Sequence, residues 1–118
     1  MWSYEKQTAE QIGAAVRQVY PDNLAAISGA LNIDESGLEE FIRSKLEVPK
    51  DSKLGDYAFP TFVLASALKK KPTEIAGELA RALDGRRYRI VGPYINRIVS
   101  AAEIAENILP VIFHERDG

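Results

Sequence analysis

Arg87-Tyr88-Arg89-Ile90-Val91-Gly92-Pro93-Tyr94-Ile95-Asn96-Arg97-Ile98-Val99-Ser100 decides the fold class of this chain. Its first five residues alternate polar and apolar or aromatic side chains as a half-buried strand does. Gly92-Pro93 breaks the run, and Tyr94 to Ser100 forms a second extended segment. Two strands around a Gly-Pro break, in a chain otherwise rich in helical periodicity, point to a mixed architecture.

Upstream of this stretch the pattern is helical. Ala9, Ile12, Ala15, Val16 and Val19 fall on one stripe of a helix running from Tyr4 to Tyr20, which Pro21-Asp22-Asn23 ends. Leu24 to Leu31 predicts a second helix, and Asp34 or Ser36 caps a short third one through Ile42. Lys45-Leu46-Glu47-Val48 reads as a brief strand closed by Pro49. A helix is expected to open around Asp56 to Pro60, with Asp56 as its cap. Its body, Phe62 to Leu68, is apolar on nearly every side, as in an enclosed helix. Pro72 suits the first turn of the next helix, which carries Ile75, Ala76, Leu79, Ala80 and Leu83 on one stripe and stops at Gly85. A last helix is expected from Ala101 to about Leu109. Helices outnumber strands and the strands are irregularly spaced. The fold class is therefore α+β, a small, mostly antiparallel sheet packed against several helices.

Composition narrows the function. At 118 residues, 46% of them hydrophobic, the chain suits one domain with one core. No apolar run approaches the roughly 20 residues needed to span a bilayer, so a membrane role is not expected and a cytoplasmic location is. With no cysteine there is no disulfide, thiolate metal site or cysteine nucleophile, and the single histidine, His114, cannot build a multi-histidine metal site. The net charge of −2 is unevenly spread: residues 45–100 carry eleven bases against six acids, flanked by acidic ends. A basic middle can face an anion, although lysines and arginines on solvated helix faces give the same count.

Two stretches depart from generic core: Leu46-Glu47-Val48-Pro49-Lys50-Asp51-Ser52-Lys53-Leu54-Gly55-Asp56-Tyr57-Ala58-Phe59-Pro60, and Val91-Gly92-Pro93-Tyr94-Ile95-Asn96. In this order, joined by Lys-Lys-Lys-Pro-Thr-Glu-Ile-Ala (69–76), they resemble the N-terminal additional domain of arginyl-tRNA synthetases. The resemblance runs from about Leu46 to Ser100. One departure is that many family members read Gly-Pro-Gly-aromatic, whereas here Tyr94 follows Pro93 directly, one residue shorter. The resemblance implies that residues 1–110 form this additional domain and that 111–118 begin the linker to a catalytic domain absent from the sequence. No His-x-Gly-His or Lys-Met-Ser-Lys-Ser-like signature occurs. The chain itself is thus expected to be non-catalytic and to hold no cofactor, with ATP and arginine used by the catalytic domain.

The implied partners are arginine tRNA, contacted at its D-loop, and the catalytic domain of the same polypeptide. In the family the aromatic residue and the asparagine of the Gly-Pro motif contact a D-loop nucleotide, and these map onto Tyr94 and Asn96. Residues i and i+2 of an extended segment share a face, a tyrosine ring can stack on a splayed base, and an amide can bond a base edge. Arg86, Arg87, Arg89 and Arg97 lie close by in sequence as phosphate contacts. Read without the resemblance, Tyr94 is first a core aromatic with a bonded hydroxyl and Asn96 first a turn-stabilising residue. Gly55 is read as a tight-turn glycine, and Lys69 to Lys71 as a solvated helix end. Two other functions stay open: a protein-interaction domain in which Tyr94, Ile95 and Ile98 face a partner, and a free-standing RNA-binding factor of the same fold.

Overall fold

The computed structural model describes residues 4–49 and 55–99. Five α-helices occur among them: α1 (Tyr4–Val19), α2 (Leu24–Leu31), α3 (Leu38–Lys45), α4 (Phe62–Leu68) and α5 (Pro72–Ala80). Three strands, β1 (Tyr57–Pro60), β2 (Tyr88–Val91) and β3 (Tyr94–Arg97), form one antiparallel sheet in the order β1-β3-β2. The α+β expectation therefore holds, with β3 at the centre.

The register sorts the sheet into two faces. Phe59, Ile95 and Ile90 lie side by side across the three strands, and so do Tyr57, Arg97 and Tyr88. Alternation puts both rows on one side. Phe59 and Ile95 are fully buried in a cluster with Ile12 and Val16 of α1, Ile42 of α3, Leu64 of α4, and Ile75 and Leu79 of α5. This is the helix-covered face. Helix α5 packs on β2 and β3, α1 on α3 and α5, and α2 on α4. Helix α2 ends where Asn32 takes up a left-handed conformation (φ 56°), one that asparagine tolerates better than most residues.

The α1–α3 contact is built around Gly13. A Cβ there would lie 2.5 Å from Glu39 Oε2, so the missing side chain makes room for the Glu39 carboxylate. Arg17 forks onto that carboxylate, Nε to Oε2 and NH2 to Oε1, both at 3.0 Å. These hydrogen bonds hold the Glu39 carboxyl below its usual pKa. A group whose folded-state pKa is depressed stabilises the fold above its unfolded-state pKa and loses that contribution as pH falls through the folded-state value. Both side chains remain about a third exposed, 35% and 31%, so solvent screens the pair. The gain is at most about 1 kcal/mol. Glu39→Gln is accordingly expected to lower the melting temperature near neutral pH by up to about 4 °C. The two melting curves should converge in acid, below the carboxylate range. A constant offset at every pH would show that the pair is not the cause.

Four expectations require correction. Residues 57–60 are strand β1 rather than the opening of a helix, which starts only at Phe62. Asp56 does not cap that helix: its N–H donates to Arg97 O (2.8 Å) and its carboxylate accepts the Val99 N–H (2.8 Å), closing the end of the β1–β3 ladder. The proposed strand at 45–48 contracts to a single bridge, Glu47 to Ala58, because α3 continues through Lys45. Helix α4 is not enclosed on all sides, since only Leu64 and Leu68 are buried and Phe62 is 49% exposed. Smaller shifts are that α3 starts at Leu38 and α5 stops at Ala80, before Leu83 and Gly85. The helix expected from Ala101 lies outside the described residues. No helix among the described residues is long and apolar enough to cross a membrane.

Candidate nucleic-acid interface

The β2–β3 hairpin closes in two residues, Gly92 and Pro93, with Val91 facing Tyr94. Gly92 has φ 59°, a conformation that glycine adopts without steric cost, and Pro93 is already fixed near the φ that the following position needs. Glycine at the first central position is the signature of a type II′ turn, whose twist matches that of the strands it joins. The shorter Gly-Pro-Tyr sequence thus makes a tight hairpin without the extra glycine.

Thr61, fully buried, ties this turn to the rest of the fold. Its N–H donates to Pro93 O (3.0 Å), and its hydroxyl lies within hydrogen-bond reach of both Pro93 O and Pro72 O, the latter at 2.7 Å. One hydroxyl proton serves two carbonyls. The hairpin tip, the β1–α4 corner and the start of α5 meet at this side chain. Thr61→Val keeps the shape but removes the hydroxyl, and an expected loss of about 1–2 kcal/mol in urea unfolding follows. A variant as stable as the parent would show that the hydroxyl carries no net bond.

The face of the sheet away from the core carries the candidate site. Across it run Ala58, Asn96 and Arg89 in one row and Pro60, Tyr94 and Val91 in the next, with Glu47 bridged beside Ala58. Tyr94 is half-buried at the rim, and its ring meets that of Phe62 edge to face, centroids 6.0 Å apart and planes at 85°. Arg89 is exposed and makes no ion pair among the described residues. Arg86 projects outward 3.3 Å from Asp84, while Arg87 is half-buried 3.9 Å from the same carboxylate. The Arg86 backbone N–H and guanidinium hold the Asp84 carboxyl below its usual range. Tyr94, Asn96 and Arg89 thus share one face, whereas Arg87, just ahead of β2, lines a pocket with Gln11 and Ala14 of α1 and with Asp84.

Asn96 and Arg97 are placed differently from the sequence expectation. Asn96 is only 2% exposed, with the chain at Gly55 against it. A Cβ on Gly55, whose φ is 129°, would lie 3.3 Å from Asn96 Cβ and 3.0 Å from Arg97 O, so both conformation and close approach call for glycine there. Arg97 is fully buried on the opposite, helix-covered face. Its guanidinium donates to Gln7 Oε1 (2.9 Å) and to Ile98 O, and lies over the rings of Tyr88 (5.5 Å) and Tyr4 (6.0 Å). It is a buried cation whose guanidinium faces the core instead of solvent. The period-two alternation that groups Tyr94 with Asn96 already puts Arg97 on the other side. Thr61 and Phe62 went unrecognised, Thr61 because only the fold brings Pro72 and Pro93 to it. Ile95, one of the residues of the protein-interaction alternative, is fully buried. Among the described residues no group of His, Cys, Asp or Glu is arranged to hold a metal ion.

Elsewhere, a cavity of about 530 Å³ between the end of α1 and α5 is lined by Tyr20, Lys70, Glu78 and Arg81. Three of its polar groups pair with one another: the Tyr20 hydroxyl donates to Glu78, and Lys70 donates to both Glu78 oxygens at 2.9 Å. Burial, with Glu78 beside it, raises the Tyr20 phenol pKa.

Comparison with known proteins gives the family. Residues 6–98 match the family model described as the arginyl tRNA synthetase N terminal domain. An arginine–tRNA ligase of Streptococcus uberis is 43% identical over 81 residues, covering 66% of this chain and 14% of the relative. That of Pediococcus pentosaceus is 39% identical over 95 residues (78% and 16%), and that of Limosilactobacillus reuteri 38% over 106 (87% and 16%). No solved structure matches the chain. The chain thus spans about one-sixth of the length of these relatives. It belongs to the family of arginyl-tRNA synthetase N-terminal domains.

Proposed function

We propose that this chain is the non-catalytic tRNA-binding module of an arginine–tRNA ligase, and that it supports aminoacylation by contacting the D-loop at the outer corner of arginine tRNA. The observation that carries the reading is the outer face of the sheet, where a half-exposed Tyr94 ring and the exposed Arg89 lie together. An unpaired base stacks on the ring while phosphates approach Arg89 and, ahead of β2, Arg87. Asn96 would reach a base edge only by displacing what covers it. The proposal therefore gives Asn96 and Arg97 the task of holding β3 in place. Chemistry on ATP and arginine belongs to the catalytic domain, the second partner in this reading.

The test is a titration of the 118-residue chain with arginine tRNA over a range of salt. Weak binding is expected, with log K falling linearly against log salt as phosphate contacts release counterions. Absence of binding at low salt, or binding indifferent to salt, would overturn the proposal.

A further inference from the structure

Phe62 is unexplained by the fold. It lies in the first turn of α4 at 49% exposure, while its neighbours Val63, Ala65 and Ala67 pack against the core and it does not. An exposed phenylalanine leaves in water the apolar area that normally justifies it. Among the described residues its ring contact is Tyr94. The residue before it, Thr61, is bonded to the hairpin turn that carries Tyr94, so the backbone segments bearing the two rings are tied together at one buried hydroxyl.

We infer that Phe62 is the second wall of a nucleobase site, forming with Tyr94 a right-angled aromatic corner that takes one unpaired RNA base. This rests on the tRNA-binding reading and adds a residue and a shape to it. With planes at 85° and centroids 6.0 Å apart, a base lying flat on one ring presents its edge to the face of the other. A single ring is a platform open to rotation. Two perpendicular rings restrict the orientation of the base and exclude water from one of its edges. Exposed cations lie on the elements that meet here: Arg89 is on the same sheet face as Tyr94, and Lys71 precedes Pro72, whose carbonyl lies 2.7 Å from the Thr61 hydroxyl. That charge suits a base with its phosphates better than an apolar protein segment. Because the fold ties the two backbone segments together, binding has little backbone freedom left to freeze at the corner.

The experiment measures fluorescence anisotropy of a labelled arginine tRNA transcript with the 118-residue chain and with Phe62→Leu, Phe62→Trp and Tyr94→Ala. The same transcript carrying abasic sugars at its unpaired D-loop positions is the control. Phe62→Leu is expected to weaken binding of the intact transcript by roughly fivefold or more, the low end of a stacking loss. Phe62→Trp should retain binding, and on the abasic transcript Phe62→Leu and the parent should bind alike. Equal binding of the intact transcript by Phe62→Leu and the parent, with Tyr94→Ala impaired, would overturn the corner and leave the tRNA-binding reading standing. An equal loss on intact and abasic transcripts would also overturn it, since the ring would then act on something other than a base. No binding by the parent chain would remove the tRNA-binding reading and the corner with it.

Discussion

Arg97→Ala is expected to cost about 3–5 kcal/mol of folding stability, a large share of the roughly 5–15 kcal/mol that holds a domain together. The side chain is fully buried, so truncation opens a cavity between the sheet and α1. It also strips donors from Gln7 Oε1 and the Ile98 carbonyl, and removes the cation from the faces of Tyr88 and Tyr4. Both acceptors are only half-buried, so water recovers part of that loss and the cavity carries most of the cost. Two further variants separate these causes. Arg97→Met fills most of the space without charge and is expected to lose less than alanine, because well-packed apolar replacements of buried ions are often tolerated. Arg97→Lys keeps the charge but has no planar fork to reach Gln7 and Ile98 while lying between two rings, so its loss should be intermediate. Urea unfolding followed by circular dichroism measures all three. Arg97→Ala within about 0.5 kcal/mol of the parent, the range of an ordinary surface substitution, would contradict the buried placement.

That residue also marks where the sequence was legible. A short apolar stretch after Pro21-Asp22-Asn23 gave α2 at its observed bounds, Leu24–Leu31, and strand alternation gave β2 and β3 around Gly92-Pro93, because both signals are written in neighbouring residues. Residues 56–60 misled for a physical reason. An aspartate and a proline are good local signals for a helix start, but Phe59 is buried by pairing with Ile95, thirty-six positions downstream, which no local signal encodes. The same holds for the site. Tyr94 could be picked from its motif, whereas Phe62 beside it is an ordinary apolar helix residue until Thr61 is seen to bond Pro93. For Arg97 the signal was present and outweighed: proximity in sequence to Arg87 and Arg89 suggested a shared surface, while alternation along β3 placed it opposite.

Tyr94→Ala should weaken binding of arginine tRNA by about 1–3 kcal/mol, the usual loss when a base loses an aromatic stacking partner. The fold should survive, since the ring lies on the outer face and Ile95, the buried neighbour on β3, is untouched. Arg89→Ala should act in another way. Its guanidinium is exposed and makes no ion pair among the described residues, so it is available to a phosphate without first breaking a bridge. Phosphates occur in every RNA, so this variant should weaken all tRNAs alike and reduce the slope of log K against log salt by about 1. Tyr94→Ala should leave that slope unchanged and reduce the preference for tRNA over a duplex of equal length, whose bases are not splayed out. Arg87→Ala should do less than Arg89→Ala, because Asp84, 3.9 Å away, already competes for that guanidinium. The discriminating quantity is therefore the salt slope measured beside the affinity. If Tyr94→Ala lowered the slope and Arg89→Ala did not, the roles assigned to the two residues would be reversed. If neither changed binding while the parent bound tRNA, the contact would lie off this face of the sheet altogether.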